Sequence, residues 1–117
     1  MRNMSFAMTT EQIKNQQKLE TRRFGWWFLK PGDLVQPVKK AMGLKKGERI
    51  EKIGGPIRIM ATRREPLNAI NTMGCLFEGF WCMEPKDFVQ MIVDHYKCNP
   101  DDIVNVISFE YTEGVKE

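Results

Sequence analysis

Apolar and polar residues alternate over residues 57–63, with Ile57, Ile59 and Ala61 set against Arg58, Met60 and Thr62. A period of two marks a strand with one buried face. The same period runs through residues 103–111, where Val104, Val106 and Ser108 alternate with Ile103, Asn105, Ile107 and Phe109. Residues 34–38 form a shorter apolar run, but Pro37 cannot donate a ladder hydrogen bond, which puts this strand at an edge or ends it early. Short strands are also expected over 5–8, 19–24 and 50–53. A helical period replaces the alternation at Phe88, Met91, Ile92 and Tyr96. Proline is tolerated at the first helical position, so Glu84 and Pro85 mark this helix start, and Asn99 and Pro100 mark its stop. Shorter helices are expected over 66–70 and 73–80. Another is expected over 10–17, where Thr9, with Gln12 three residues on, has the form of a capping box. Turns fall at residues 30–33 and 54–56, and residues 41–49 form a basic loop containing Gly43 and Gly47.

Strands dominate the first half, and helices interrupt before a returning C-terminal strand. That order predicts an α+β fold, a small mixed β-barrel with short helices and one longer helix in the C-terminal half. A length of 117 residues suits one domain over 1–117. Hydrophobic residues at 42% and charged residues at 28% exclude a disordered chain. No apolar run approaches the ~18 residues that a spanning helix needs, so no membrane partner is expected. The first eight residues hold no long apolar segment, so no secretory signal is expected either. Cys75, Cys82 and Cys98 are too few and too odd in number for a disulfide framework, which implies reduced thiols and a cytoplasmic location.

Charge divides the chain. Residues 1–64 carry 15 basic and 5 acidic side chains, whereas residues 65–117 carry 3 and 10, so +10 faces −7. A basic surface concentrates polyanions. An acidic half that neutralises a basic half within the fold accounts for the same numbers, so charge alone leaves both readings open.

Residues 18–23 hold the most informative cluster. A strand beginning at Glu20 places Thr21 and Arg23 on one face and Glu20 and Arg22 on the other, with Lys18 at the preceding turn able to lean over Thr21. A hydroxyl between an ammonium and a guanidinium makes a site for an anion or a carbonyl. The same residues also suit a solvated strand face.

This Lys-x-x-Thr-x-Arg element after a short strand and helix resembles the ASCH (activating signal cointegrator homology) domain, a small barrel related to the PUA RNA-binding domain. Further likenesses follow in order: the opening strand at residues 5–9, the Lys30, Pro31, Gly32, Asp33 turn, Glu78, Gly79 and Phe80 before a helix over 85–97, and a closing Phe109, Glu110. The resemblance spans about residues 4–112. It implies a PUA-like barrel whose cleft binds RNA or a nucleotide-like small molecule. One bacterial branch hydrolyses acetylated cytidine amides, and matching its motif carries the catalytic roles to Lys18, Thr21 and Glu78, with Arg23 as the arginine that follows the threonine. The charged neighbours Glu20 and Arg22, the paired Trp26 and Trp27, and the insert over 42–49 depart from that branch. The tryptophans and the insert resemble a phage or prophage branch, for which a protein-interaction role is a third reading.

Such a hydrolase would use Thr21 as nucleophile, Lys18 as general base and Glu78 as proton shuttle. At its ordinary pKa only about one lysine in 2,500 is neutral at pH 7. Desolvation or the nearby Arg22 and Arg23 would favour the neutral amine, and Glu78 in a salt bridge would oppose it. The same residues therefore fit a hydrolase or a charged binding cleft.

The candidate ligand or nucleic-acid contacts are Arg22 and Arg23 beside Thr21, with Trp26, Lys39, Lys40, Lys45, Lys46, Arg63 and Arg64 extending the surface. Trp26 and Trp27 adjoin basic doublets, so one can stack a base while the other enters the core. Lys39, Lys40, Lys45 and Lys46 form a flexible basic rim, although Gly43 and Gly47 match no phosphate loop. Arg63 and Arg64 end a strand, facing the cleft or pairing internally. Cys75, Cys82, His95 and Cys98 lack the close paired spacing of a structural zinc site, so neither a metal nor a cofactor is expected.

Overall fold

The computed structural model describes residues 1–113. Five strands, β1 (Arg2–Ser5), β2 (Glu20–Arg23), β3 (Leu34–Val38), β4 (Ile57–Pro66) and β5 (Ile103–Tyr111), form one sheet in the order β1-β3-β4-β5-β2. β1 runs parallel to β3, and the remaining neighbours are antiparallel. Three helices accompany the sheet: α1 (Thr10–Lys14), α2 (Thr72–Phe77) and the longer α3 (Pro85–Tyr96). The expected α+β class with a mixed sheet is borne out. Among the described residues no ladder joins the edge strands β1 and β2, so the barrel is not fully closed.

The two sheet faces bury separate clusters. Met4, Phe6, Val35, Ile57, Ile59, Ile107 and Phe109 fill the concave interior. Val104 and Val106, on the other face of β5, pack with Leu67, Ile70, Cys75, Phe88 and Ile92 beneath the helices. Alternation along β5 therefore feeds both cores, since neighbouring side chains point to opposite faces.

Several boundaries differ from expectation for local physical reasons. β1 ends at Ser5, and Ala7–Thr9 wind into a 3-10 turn in which the Thr10 hydroxyl donates to the Phe6 carbonyl at 2.9 Å. Thr9 precedes α1 but makes no side-chain cap; it is buried, so the capping-box reading fails there. α1 stops at Lys14 because the chain turns through Gln16 at φ 57°. Residues 50–53 form only a single bridge, Lys52 to Val38, rather than a strand. Pro37 falls where β3 has already parted from β4, since that ladder joins only Leu34 and Val35 to β4.

The alternation expected through 57–63 breaks at a bulge between Ile59 and Ala61. Ile57 and Ile59 are buried, but Ala61 is exposed and sits opposite Ser108. A bulge inserts one unpaired residue and re-aims those after it. Arg63 consequently lies opposite Val106, on the helix side, and Arg64 opposite Asn105.

Asn105 ties the aromatic loop to the sheet. Its buried amide donates to the Gly25 and Trp26 carbonyls at 3.3 and 3.0 Å. Asn105→Ala leaves the Gly25 carbonyl unpaired and the Trp26 carbonyl with only the Leu29 N–H, at 3.1 Å, and a loss of about 1–3 kcal/mol in urea unfolding is expected. A loss under about 0.5 kcal/mol would show that the loop holds without this anchor.

Candidate functional site

The open seam of the barrel holds the site. Ser5 on one edge strand and Thr21 and Arg23 on the other line the same pocket, so the sheet curls until its edges face each other across that space. The pocket encloses about 140 Å³. Its apolar wall comes from Phe6, Phe80, Phe88, Met91 and Ile92, with His95 and Tyr96 at the α3 end.

Local structure explains why Lys18 points here. Its backbone N–H donates to the Gln12 carbonyl at 3.2 Å, and its carbonyl accepts from the Tyr111 hydroxyl at 2.5 Å. Leu19 next in the chain donates to the Phe77 carbonyl at 2.7 Å. Burial raises the Tyr111 pKa, so this phenol keeps the proton it donates. These bonds pin the turn against the end of α2, where Glu78 is the C-cap residue. Gly79 follows at φ 97°, the left-handed conformation that ends a helix most cheaply with glycine. A Cβ at Gly79 would also come within 2.6 Å of Gln12 Cγ, so a larger residue would push α1 away from Glu78.

Lys18 and Glu78 are each 3% exposed and meet at 2.5 Å between Nζ and Oε1. Lys18 Nζ also donates to the Glu78 carbonyl at 3.1 Å. The second carboxylate oxygen of Glu78 accepts from Arg22 Nη1 at 3.2 Å. Desolvation lowers the Lys18 pKa below its ordinary value; Glu78 works against that effect, while Arg23 and Arg22 add to it.

Thr21 is buried, and its hydroxyl oxygen accepts from Arg23 Nε at 2.9 Å. Arg23 is half-buried, and its guanidinium lies 4.6 Å from the centre of the Phe6 ring, a cation–π contact. Burial also lowers the Arg23 pKa, with Tyr96 and Glu78 opposing the shift. Among the described residues, the terminal nitrogens of Arg23 make neither a hydrogen bond nor an ion pair.

The structure thus gathers Lys18, Thr21, Arg22, Arg23 and Glu78 around one pocket. The remaining predicted residues lie elsewhere. Trp26 is half-buried against the barrel core. Lys39 and Lys40 pair with Glu51 and Glu48 at 2.9 and 3.6 Å, and Lys45 and Lys46 are exposed on the same loop. Arg63 pairs with Glu20 and Glu65, and Arg64 lies over the Trp27 ring at 4.5 Å. None of these lines the pocket. Among the described residues, no group of three or more His, Cys, Asp or Glu could hold a metal ion, and no helix is long and apolar enough to cross a membrane.

Phe6 and Tyr111 escape a reading of residues 18–23 because their contributions come from opposite ends of the chain. Phe6 carries no distinguishing local pattern. Tyr111 has one usable signal: an aromatic hydroxyl at the end of a core strand needs a polar partner when buried.

No family model matches the chain, and no curated protein matches it. Among solved structures, it is similar to protein EF3133 of Enterococcus faecalis, a DUF984 protein. The sequence identity is 14% and the TM-score 0.63, over 96% of this chain and 76% of that one. At this identity the likeness is one of architecture: the chain shares the fold of a DUF984 protein.

Proposed function

We propose that the protein binds a small nucleoside- or nucleotide-type ligand in the seam pocket, through a carbonyl or anionic group held by Arg23, Thr21 and Lys18. The carrying observation is Arg23: a guanidinium stacked on Phe6 at 4.6 Å, lining the pocket, with terminal N–H groups free of protein partners among the described residues. A half-buried guanidinium without a carboxylate gives up part of its hydration on folding, and a ligand oxygen offsets that cost. The ordered ASCH-like motifs support the same reading. The neutralising partners of Lys39, Lys40 and Arg63 favour a small ligand over a long RNA track.

Titration of the protein with cytidine, acetylated cytidine, cytidine monophosphate and a short RNA tests this by calorimetry. At least one small ligand is expected to bind, and Arg23→Gln is expected to weaken it about 10–100-fold, the worth of a charged hydrogen bond. Binding of RNA alone, with a steep salt dependence, would instead assign the surface to a polyanion. No binding by any of the four would reject the reading.

Hydrolysis of an acetylated amide is the second reading, favoured by the desolvated Lys18 and a buried threonine that line the same pocket. Thr21 Oγ would attack the acetyl carbonyl as Lys18 takes its proton, and the amine would leave protonated. Water would then release acetate from the acyl-threonine.

A further inference from the structure

Glu78 is a divided carboxylate. One oxygen lies 2.5 Å from Lys18 Nζ and the other 3.2 Å from Arg22 Nη1. Arg22 approaches from the helix-covered side of β2, opposite Val106. Its side chain is 2% exposed and also contacts Glu20 Oε1 at 2.9 Å and Glu65 Oε1 at 3.5 Å. Arg22 Nε has no hydrogen-bond partner, and Glu20 Oε1 meets Arg22 off the hydrogen-bond direction. The contact is therefore imperfect as a stabilising pair, and a buried ion pair is weak evidence for stability in any case. Gly74 in α2 supplies the room: a Cβ there would come within 2.9 Å of Arg22 Nη2 and 2.7 Å of Ile70 Cγ1.

We infer that Arg22 is a positioning residue of the pocket, holding Glu78 in the orientation that offers one oxygen to Lys18 while sharing the charge of that carboxylate. The inference rests on the reading of this pocket as the ligand site. It reassigns Arg22 from touching a ligand to acting through Glu78, and it makes Gly74 part of the same device. The charges facing Lys18 are Glu78, Arg22 and Arg23, and those facing Arg22 are Glu78, Glu20 and Glu65. Removing Arg22 gives Glu78 wholly to Lys18, deprives Glu20 and Glu65 of their buried cation, and ends a like-charge repulsion. All three changes make Lys18 hold its proton more tightly.

The test is an NMR titration of Lys18 in lysine-labelled protein without ligand, comparing the unaltered chain with Arg22→Met, Arg22→Lys and Gly74→Ala. Arg22→Met is expected to move the Lys18 midpoint to higher pH, with Arg22→Lys between the two. Gly74→Ala is expected to shift it in the same direction by displacing the end of Arg22. The helix propensity of alanine offsets part of the crowding against the buried Ile70. Should Arg22→Met fail to fold, the other two decide. A Lys18 midpoint unchanged or lowered in both Gly74→Ala and Arg22→Lys overturns the inference. The four-ligand calorimetry reads the ligand site independently: a shifted Lys18 in a protein that binds none of them keeps the Arg22–Glu78 coupling and rejects the ligand reading alone.

Discussion

Glu78→Ala is expected to lower the unfolding free energy by about 3–5 kcal/mol, because breaking a buried ion pair leaves its partner charged and unpaired. Two cations lose a partner here, since Glu78 touches both Lys18 Nζ and Arg22 Nη1. Arg22 keeps Glu20 and Glu65, at 2.9 and 3.5 Å. Lys18 keeps only the residue 78 carbonyl, at 3.1 Å. Most of the loss therefore falls on Lys18, which can escape it only by releasing its proton. Adding Lys18→Met to Glu78→Ala is accordingly expected to recover a large part of the stability, although it removes a second polar pocket residue. Urea unfolding of both single variants and the double variant measures this coupling. A Glu78→Ala loss under about 1 kcal/mol, or a double variant no better than that single one, contradicts a mutually dependent pair.

On the hydrolytic reading, Thr21→Ala is expected to lower acetyl-amide hydrolysis on the order of 10³-fold or more, while the protein stays folded. The hydroxyl is the one nucleophilic oxygen held by Arg23 in the pocket, at 2.9 Å. Thr21→Ser keeps that oxygen and is expected to retain measurable turnover. The pH dependence follows from Lys18, whose pKa burial depresses below 10.5. Turnover should therefore rise with pH as the amine loses its proton, with a limb below the range of an ordinary lysine. Stability should respond in the same direction. Between the depressed folded pKa and 10.5, the unfolded chain binds a proton that the folded chain does not, so this contribution to stability rises with pH. Acetate release at fixed enzyme concentration across pH, for all three proteins, supplies the measurement. Undiminished release by Thr21→Ala rejects the covalent route and leaves binding as the function of the pocket.

Part of this site is legible along the chain. The alternation from Glu20 onward places Thr21 and Arg23 on one face of β2, as their partners Ile107 and Asn105 confirm. Glu20 and Arg22 share the other face, opposite Ser108 and Val106. The start of α3 at Pro85 and the extent of β5 follow from proline chemistry and a period of two. Other features resist that kind of reading. The bulge after Ile59 sends Arg63 toward Glu20 and Glu65, and nothing in the alternating run announces it. Trp26 takes φ 59° in a turn rather than extended backbone, so the opposite-face rule for neighbouring aromatics does not apply there. Thr9 has the identity of a cap, but its side chain lies buried and makes no capping bond.

Sequence by itself determined the α+β class, the major strands, the long helix and the face shared by Thr21 and Arg23. These depend on backbone periodicity and on short-range rules for proline and glycine. Only the tertiary structure decided that Phe6, Thr21 and Glu78 surround one seam, that Arg22 reaches Glu78 from the helix side, and that Lys39, Lys40 and Arg63 find carboxylates elsewhere. The physical reason is that charge acts through space and through desolvation. The state of Lys18 depends on a carboxylate 60 positions away in the chain and on the water excluded around both, and neither is a property of the residues beside it.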